Sequence, residues 1–293
     1  MPVTLPGSIE TLLAGGIDYA GLFPPAALPM ASAVGNYLAY RRSPEAWALG
    51  RFIVPASRLE ELLSQPGSDQ DGWSLGITLS DDRARDRAAI EAHRARAEAA
   101  GIGFDSIEGK VTTVAAVDEL HHLSGPSVWY GEVDPGPLLE PLLDAVAARG
   151  GRAKIRMGGV VPEAFPESKA VARFLLAVMT RELGFKATAG LHHPLRGRYP
   201  LQYGPGAPVG LMYGYLNLVV AVDLAARGAS PGDLIAVLDD AAPRAFVADD
   251  SALVWRGHRI DDGAARALRR RFDGFGSCSF TEPIDELSPA IGR

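Results

Sequence analysis

Residues 152–193 read RAKIRMGGVVPEAFPESKAVARFLLAVMTRELGFKATAGLHH, and this stretch decides the fold. A short strand is expected over Ala153 to Met157, and Gly158-Gly159 ends it. A helix follows from Pro166 to Leu183, closed by Gly184, and a second strand runs from Phe185 to Gly190. Two short strands joined by a helical crossover are parallel neighbours in one sheet.

The same unit repeats outward in both directions. Strands are expected at Ile17–Phe23, Ala48–Pro55, Trp73–Leu79, Gly103–Glu108 and Ser127–Val133 before it, and at Phe275–Phe280 after it. Helical patterns alternate with them at Leu28–Tyr40, Leu59–Leu63, Asp81–Ala100, Thr113–Leu123, Leu138–Arg149 and Leu211–Arg227. Eight strands at a spacing of about 36 residues predict a single (β/α)8 barrel of TIM type over residues 1–293. The rival, an open doubly wound sheet, would carry a Gly-rich dinucleotide turn or a P-loop after a strand, and neither is present. One departure is expected, an insert at 230–273 between strands seven and eight. It reads as helix Pro231–Asp240, a hairpin within 245–257, and helix Asp261–Phe272. Segment 245–257 competes with 275–280 for the place of the eighth strand, and the insert reading is preferred.

Composition narrows the function. The chain has 293 residues, 47% hydrophobic and 22% charged, with a net charge of −6, which excludes disordered, collagen-like and coiled-coil classes. Arg269-Arg270-Arg271 is the only strongly basic run, so nucleic acid is not an expected partner. Leu211–Ala226, the longest apolar helical candidate, carries Asn217 and Asp223, so no membrane span is expected. Met1 to Gly16 lacks the pattern of a leader, and a cytoplasmic location is expected. The single cysteine, Cys278, excludes an internal disulfide and reads as a small buried residue.

Of the 29 basic residues only four are lysine: Lys110, Lys154, Lys169 and Lys186. A chain that uses arginine as its default cation has placed lysine at two mid-strand positions. Strand side chains alternate, so Lys154 and Arg156 share a face while Ile155 and Met157 share the other. The apolar pair is expected to face the helices, which turns Lys154 and Arg156 into the barrel. By the same parity Lys186, Thr188, Gly190 and His192 share a face, as do Tyr130, Glu132 and Asp134. Arg51, Glu108 and Asp18 come from strands two, four and one, and Ser277 and Ser279 from strand eight. The long segment His193 to Gly210, with Arg196, has the length of a lid. Functional groups of such barrels lie at the C-terminal strand ends.

Three readings follow. In the first, the protein is a lyase of aldolase type. A lysine flanked by another cation in a dry site has a depressed pKa and becomes a nucleophilic amine, which arginine cannot do. Lys154 or Lys186 would form a Schiff base with an anionic carbonyl substrate, Glu132 or Glu108 would move protons, and no cofactor is needed. Arg51, Arg156, Asp18, Thr188, His192, Arg196, Ser277 and Ser279 would bind the substrate. This placement resembles the class I aldolases, such as deoxyribose-phosphate aldolase. The resemblance is topological and covers about twenty residues. It implies that Lys154 corresponds to the imine-forming lysine of strand six and Lys186 to the neighbouring lysine of strand seven. In the second reading a divalent metal, held by Glu132, Asp134 and His192, serves an isomerase or hydrolase. In the third, the charges are a structural ion-pair network in a non-catalytic barrel. The expected partner is a small anionic substrate, with self-association into a homo-oligomer left open.

Overall fold

The computed structural model describes residues 5–65 and 72–291. The ends of the expected span, 1–4 and 292–293, lie outside the described residues. Eight parallel strands close into a barrel: β1 (Ile17–Tyr19), β2 (Leu49–Pro55), β3 (Trp73–Thr78), β4 (Ile102–Lys110), β5 (Val128–Glu132), β6 (Arg152–Arg156), β7 (Phe185–Thr188) and, late in the chain, Phe272–Ser277. The last of these pairs in parallel with both β7 and β1 and closes the ring. This is a (β/α)8 barrel of TIM type.

Between β7 and the closing strand lie five short strands outside the barrel. β8 (Gly197–Pro200) and β9 (Val209–Met212) form an antiparallel hairpin at the mouth. β10 (Phe246–Asp249), β11 (Ala252–Trp255) and β12 (His258–Asp261) form a small antiparallel sheet, which makes the closing strand β13. Segment 245–257 therefore belongs to the insert. Its expected hairpin gains a third strand because Arg256 and Gly257, both at positive φ, form a two-residue turn that pairs Trp255 with His258.

The helices are α1 (Gly7–Leu13), α2 (Met30–Tyr40), α3 (Leu59–Leu63), α4 (Arg83–Ala99), α5 (Val114–Ser124), α6 (Leu139–Ala148), α7 (Ser168–Thr180), α8 (Tyr215–Ala226), α9 (Pro231–Leu238), α10 (Asp262–Arg269), α11 (Thr281–Asp285) and α12 (Leu287–Ala290). The second half of the insert, β10 to α10, packs with α1, so the N-terminal helix and the insert brace one another. Among the described residues no helix is long and apolar enough to cross a membrane.

Alternation along β6 and β7 positions the site. Ile155, Met157 and Ala187 are fully buried in the apolar layer between barrel and helices. Lys154, Arg156, Lys186 and Thr188 instead line a cavity at the C-terminal mouth.

The closing strand meets β1 at very close range. Gly274 has φ +135°, and a Cβ there would lie 2.1 Å from the carbonyl oxygen of Gly16. Phe275 N–H also donates to that oxygen at 2.8 Å. Gly274→Val is therefore expected to cost at least about 3 kcal/mol, through combined backbone strain and overlap. Denaturant unfolding checks this; a midpoint equal to that of the parent would show that the strands can separate freely there.

Candidate active site

Strand register aligns the charged residues. In the ladder β5–β6 Glu132 is the partner of Lys154, and in β6–β7 Lys154 is the partner of Lys186. Lys154 Nζ lies 3.0 Å from Glu108 Oε2 and 3.0 Å from Glu132 Oε2. Lys186 Nζ lies 2.7 Å from Glu108 Oε1 and also binds Asp18 Oδ2. One carboxylate, Glu108, thus bridges two ammonium groups that are each held by a second carboxylate. Asp18 is fixed in turn by the backbone N–H of Arg51 at 2.7 Å.

Every member except Glu132 is buried. Removing such ions from water costs several kcal/mol each, recovered only when geometry and hydrogen bonding are complete. Here each ammonium has two carboxylate partners, and the sequence leaves room for them. Gly76 on β3 faces the cluster, and a Cβ there would lie 3.2 Å from Glu108 Oε1.

Proton affinities follow from the contacts. Burial alone would raise the Glu108 carboxyl, but Lys186 and Lys154 outweigh it and hold it down at about 2. Burial alone would lower the two ammonium groups. Glu108 and Glu132 outweigh it at Lys154, and Asp18 and Glu108 at Lys186, so both are raised above the usual 10.5. This corrects the expectation of a depressed lysine. The cation–cation contact exists, but three carboxylates surround it, and attraction at about 3 Å exceeds the lysine–lysine repulsion.

Arg51 and Asp18 do not line the cavity. Arg51 lies one pleat deeper than the cavity-lining Ile53, with a guanidinium nitrogen 4.0 Å from Asp18. It belongs to a lower polar layer, in which Asp273 accepts from Tyr130 Oη at 2.9 Å and pairs with Arg152 at 2.7 Å.

At the rim, Arg156, Thr188 and His192 line the cavity. Arg156 is exposed, donates from Nε to the Gly158 carbonyl at 3.0 Å, and forms no ion pair among the described residues. His192 Nδ1 lies 3.4 Å from Glu282 Oε2 and 3.3 Å from Ser277 Oγ. Burial would lower this imidazole, but Cys278 and Glu282 outweigh that effect and push it up to about 9. The β8–β9 hairpin supplies the cover. Pro200, Leu201, Gln202, Tyr203 and Met212 line the cavity, whose volume is about 560 Å3.

The remaining candidates go elsewhere. Arg196 pairs with Asp239 at 3.1 Å and lies over the Tyr213 ring, and it does not line the cavity. Ser279 accepts from the backbone N–H of Glu282 at 3.2 Å. Gly276 and Cys278 line the cavity, while Ser277 and Ser279 do not, so the parity expected for the last strand is reversed. Asp134 lies beyond the end of β5, exposed, and pairs with Lys110 at 3.2 Å. The proposed ligands Glu132, Asp134 and His192 are therefore not gathered, and no group of three His, Cys, Asp or Glu suited to a metal forms among the described residues.

Sequence reasoning missed Cys278 and Glu282 as cavity residues, while Tyr203 falls in the segment 193–210 expected to cover the mouth. The available signal was position: Cys278 follows directly on the last barrel strand, where functional groups concentrate. No family model, no curated protein and no solved structure matches this chain.

Lys186→Met removes one ammonium and leaves Asp18 and Glu108 short of a partner. The expected loss is about 3–5 kcal/mol at pH 7. A carboxyl held at about 2 stabilises the fold above its unfolded value near 4.5, and that contribution fades as pH falls toward 2. In the variant Glu108 takes up a proton more readily, so the stability gap to the parent shrinks between pH 7 and pH 4. Urea midpoints at the two pH values check this; a gap that widens on acidification would contradict the account.

Proposed function

We propose that the barrel is an enzyme of aldolase or lyase type, in which Lys154 condenses with the carbonyl of a small anionic substrate. The observation that carries this reading is the setting of Lys154 at the cavity floor, with carboxylates 3.0 Å away on two sides. An imine-forming amine needs an acceptor for its proton, and Glu132, which also lines the cavity, supplies one. Lys186 is the weaker candidate, since its side chain is only 1% exposed and clamped by Asp18 and Glu108.

A raised lysine must lose its proton before it attacks. Substrate entry under the β8–β9 hairpin displaces water, and desolvation disfavours the ammonium and the carboxylate together. The proton then passes from Nζ to Glu132. The freed nitrogen pair adds to the carbonyl carbon, and the oxygen takes one proton from the added nitrogen and a second back from Glu132 and leaves as water. The resulting iminium takes up the electron pair of the adjacent carbon–carbon bond as that bond breaks and becomes an enamine. The hydroxyl of the departing fragment gives its proton to Glu132 and becomes a carbonyl. That proton then goes to the enamine carbon, water hydrolyses the imine, and the reverse sequence makes the bond. Arg156 follows Lys154 by two residues on the same face, about 6.6 Å along the strand. It is suited to hold a carboxylate or phosphate a few bonds from the carbonyl.

A second reading has one observation in its favour: both buried ammonium groups are already fully paired. The barrel would then bind a small anion at Arg156 without chemistry at the lysines.

Borohydride reduction in the presence of small aldehydes and 2-oxo acids separates the two. The enzyme reading predicts a stable mass increase on the peptide containing Lys154. Its yield should rise from pH 7 to pH 10, because the amine is raised, and it should vanish in Lys154→Arg. No adduct with any compound at any pH, or an undiminished adduct in Lys154→Arg, would overturn it.

A further inference from the structure

The lysine chemistry leaves a second reactive group in the cavity unused. Cys278 Sγ lies 3.7 Å from His192 Nδ1 and 4.0 Å from Nε2. Tyr203 Oη, from the covering hairpin, lies 3.6 Å from the same sulfur and donates to Glu282 Oε2 at 2.9 Å. Glu282 also faces the imidazole, at 3.4 Å from Nδ1. Thiol, imidazole, carboxylate and phenol thus converge from the end of β13, the segment after β7, α11 and the covering hairpin, and all four line the cavity.

A buried cysteine usually acts as a small apolar residue, packed among apolar neighbours. Cys278 has polar groups on two sides and a cavity beside it. Its position at the C-terminal end of a barrel strand is where such folds place chemistry. The imidazole can exchange a proton with the sulfur, and Glu282, beside the same Nδ1, stabilises the ring when it is charged.

We propose that Cys278 and His192 form a second nucleophilic centre that adds reversibly to small aldehydes. The sulfur attacks with its proton on, or passing to, the His192 ring. Its electron pair forms the carbon–sulfur bond, and the carbonyl π pair moves to oxygen. That oxygen takes the proton from His192. The product is a neutral hemithioacetal; nothing leaves and nothing is oxidised. This centre does not depend on imine formation at Lys154.

The chain has one cysteine, so alkylation reads a single site. The rate of carbamidomethylation by iodoacetamide at pH 7, followed by intact mass, is the test. Cys278 in the native protein should react at least tenfold faster than in a free peptide of residues 274–282. His192→Gln and Glu282→Gln should each slow it. Glycolaldehyde should protect the thiol reversibly, and should still do so in Lys154→Arg, where an imine at residue 154 is impossible. A native rate no faster than the peptide's, both variants reacting at the parental rate, or no protection by glycolaldehyde overturns the proposal. Failure of the lysine reading shows separately, as absent borohydride trapping at Lys154.

Discussion

Two lysine ammonium groups lie inside the barrel, and their charge must be balanced there. That constraint organises the molecule around it. Asp18 from β1, Glu108 from β4 and Glu132 from β5 face Lys154 from β6 and Lys186 from β7. Arg51 from β2 adds a third cation beside Asp18, so three positive charges meet three negative ones. A set spread over six of the eight strands can form only when the barrel closes with β13 beside β1 and β7. Glycines on the inner face make the room. A Cβ at Gly50 would lie 2.5 Å from Asp18 Oδ1, and one at Gly76 would meet Glu108.

The same balance shapes the site above it. Barrel interiors are normally filled by layers of branched apolar side chains. A fully paired polar layer cannot collapse in that way, and the cavity opens above Lys154 and Lys186. The pairing also bears on the proposed lysine chemistry. Amines among three carboxylates are charged at rest and become nucleophilic only when the local environment penalises charge. Cover by the β8–β9 hairpin is the natural source of that penalty. Tyr203 of this hairpin bonds to Glu282, which faces His192, so the cover and the thiol–imidazole pair are linked.

Much of this was legible in the sequence. All eight barrel strands show there because short apolar segments alternate with helices punctuated by glycine. The inward faces of β6 and β7 could be read from parity, since Ile155, Met157 and Ala187 leave only one side for the lysines. Where parity failed, the backbone had changed. Gly274, at φ +135°, coincides with a register shift against β7, and beyond it Cys278 rather than Ser277 and Ser279 reaches the cavity. β5 ends at Glu132, so alternation no longer governs Asp134. The sign of the lysine shifts depended on how many carboxylates converge on each nitrogen. Asp18 meets Lys186 across 168 positions of sequence, a contact that only barrel closure creates.

The scarcity of lysine makes the central claim directly measurable. Lys110 and Lys169 are exposed, while Lys154 and Lys186 are buried. Proton-detected nitrogen-15 spectroscopy of lysine-labelled protein therefore reports the buried pair as slowly exchanging ammonium groups. The account predicts two such protected signals at pH 7, each retaining ammonium shifts beyond pH 10.5. A buried amine that titrates near neutrality, or the absence of any protected ammonium signal, would contradict it.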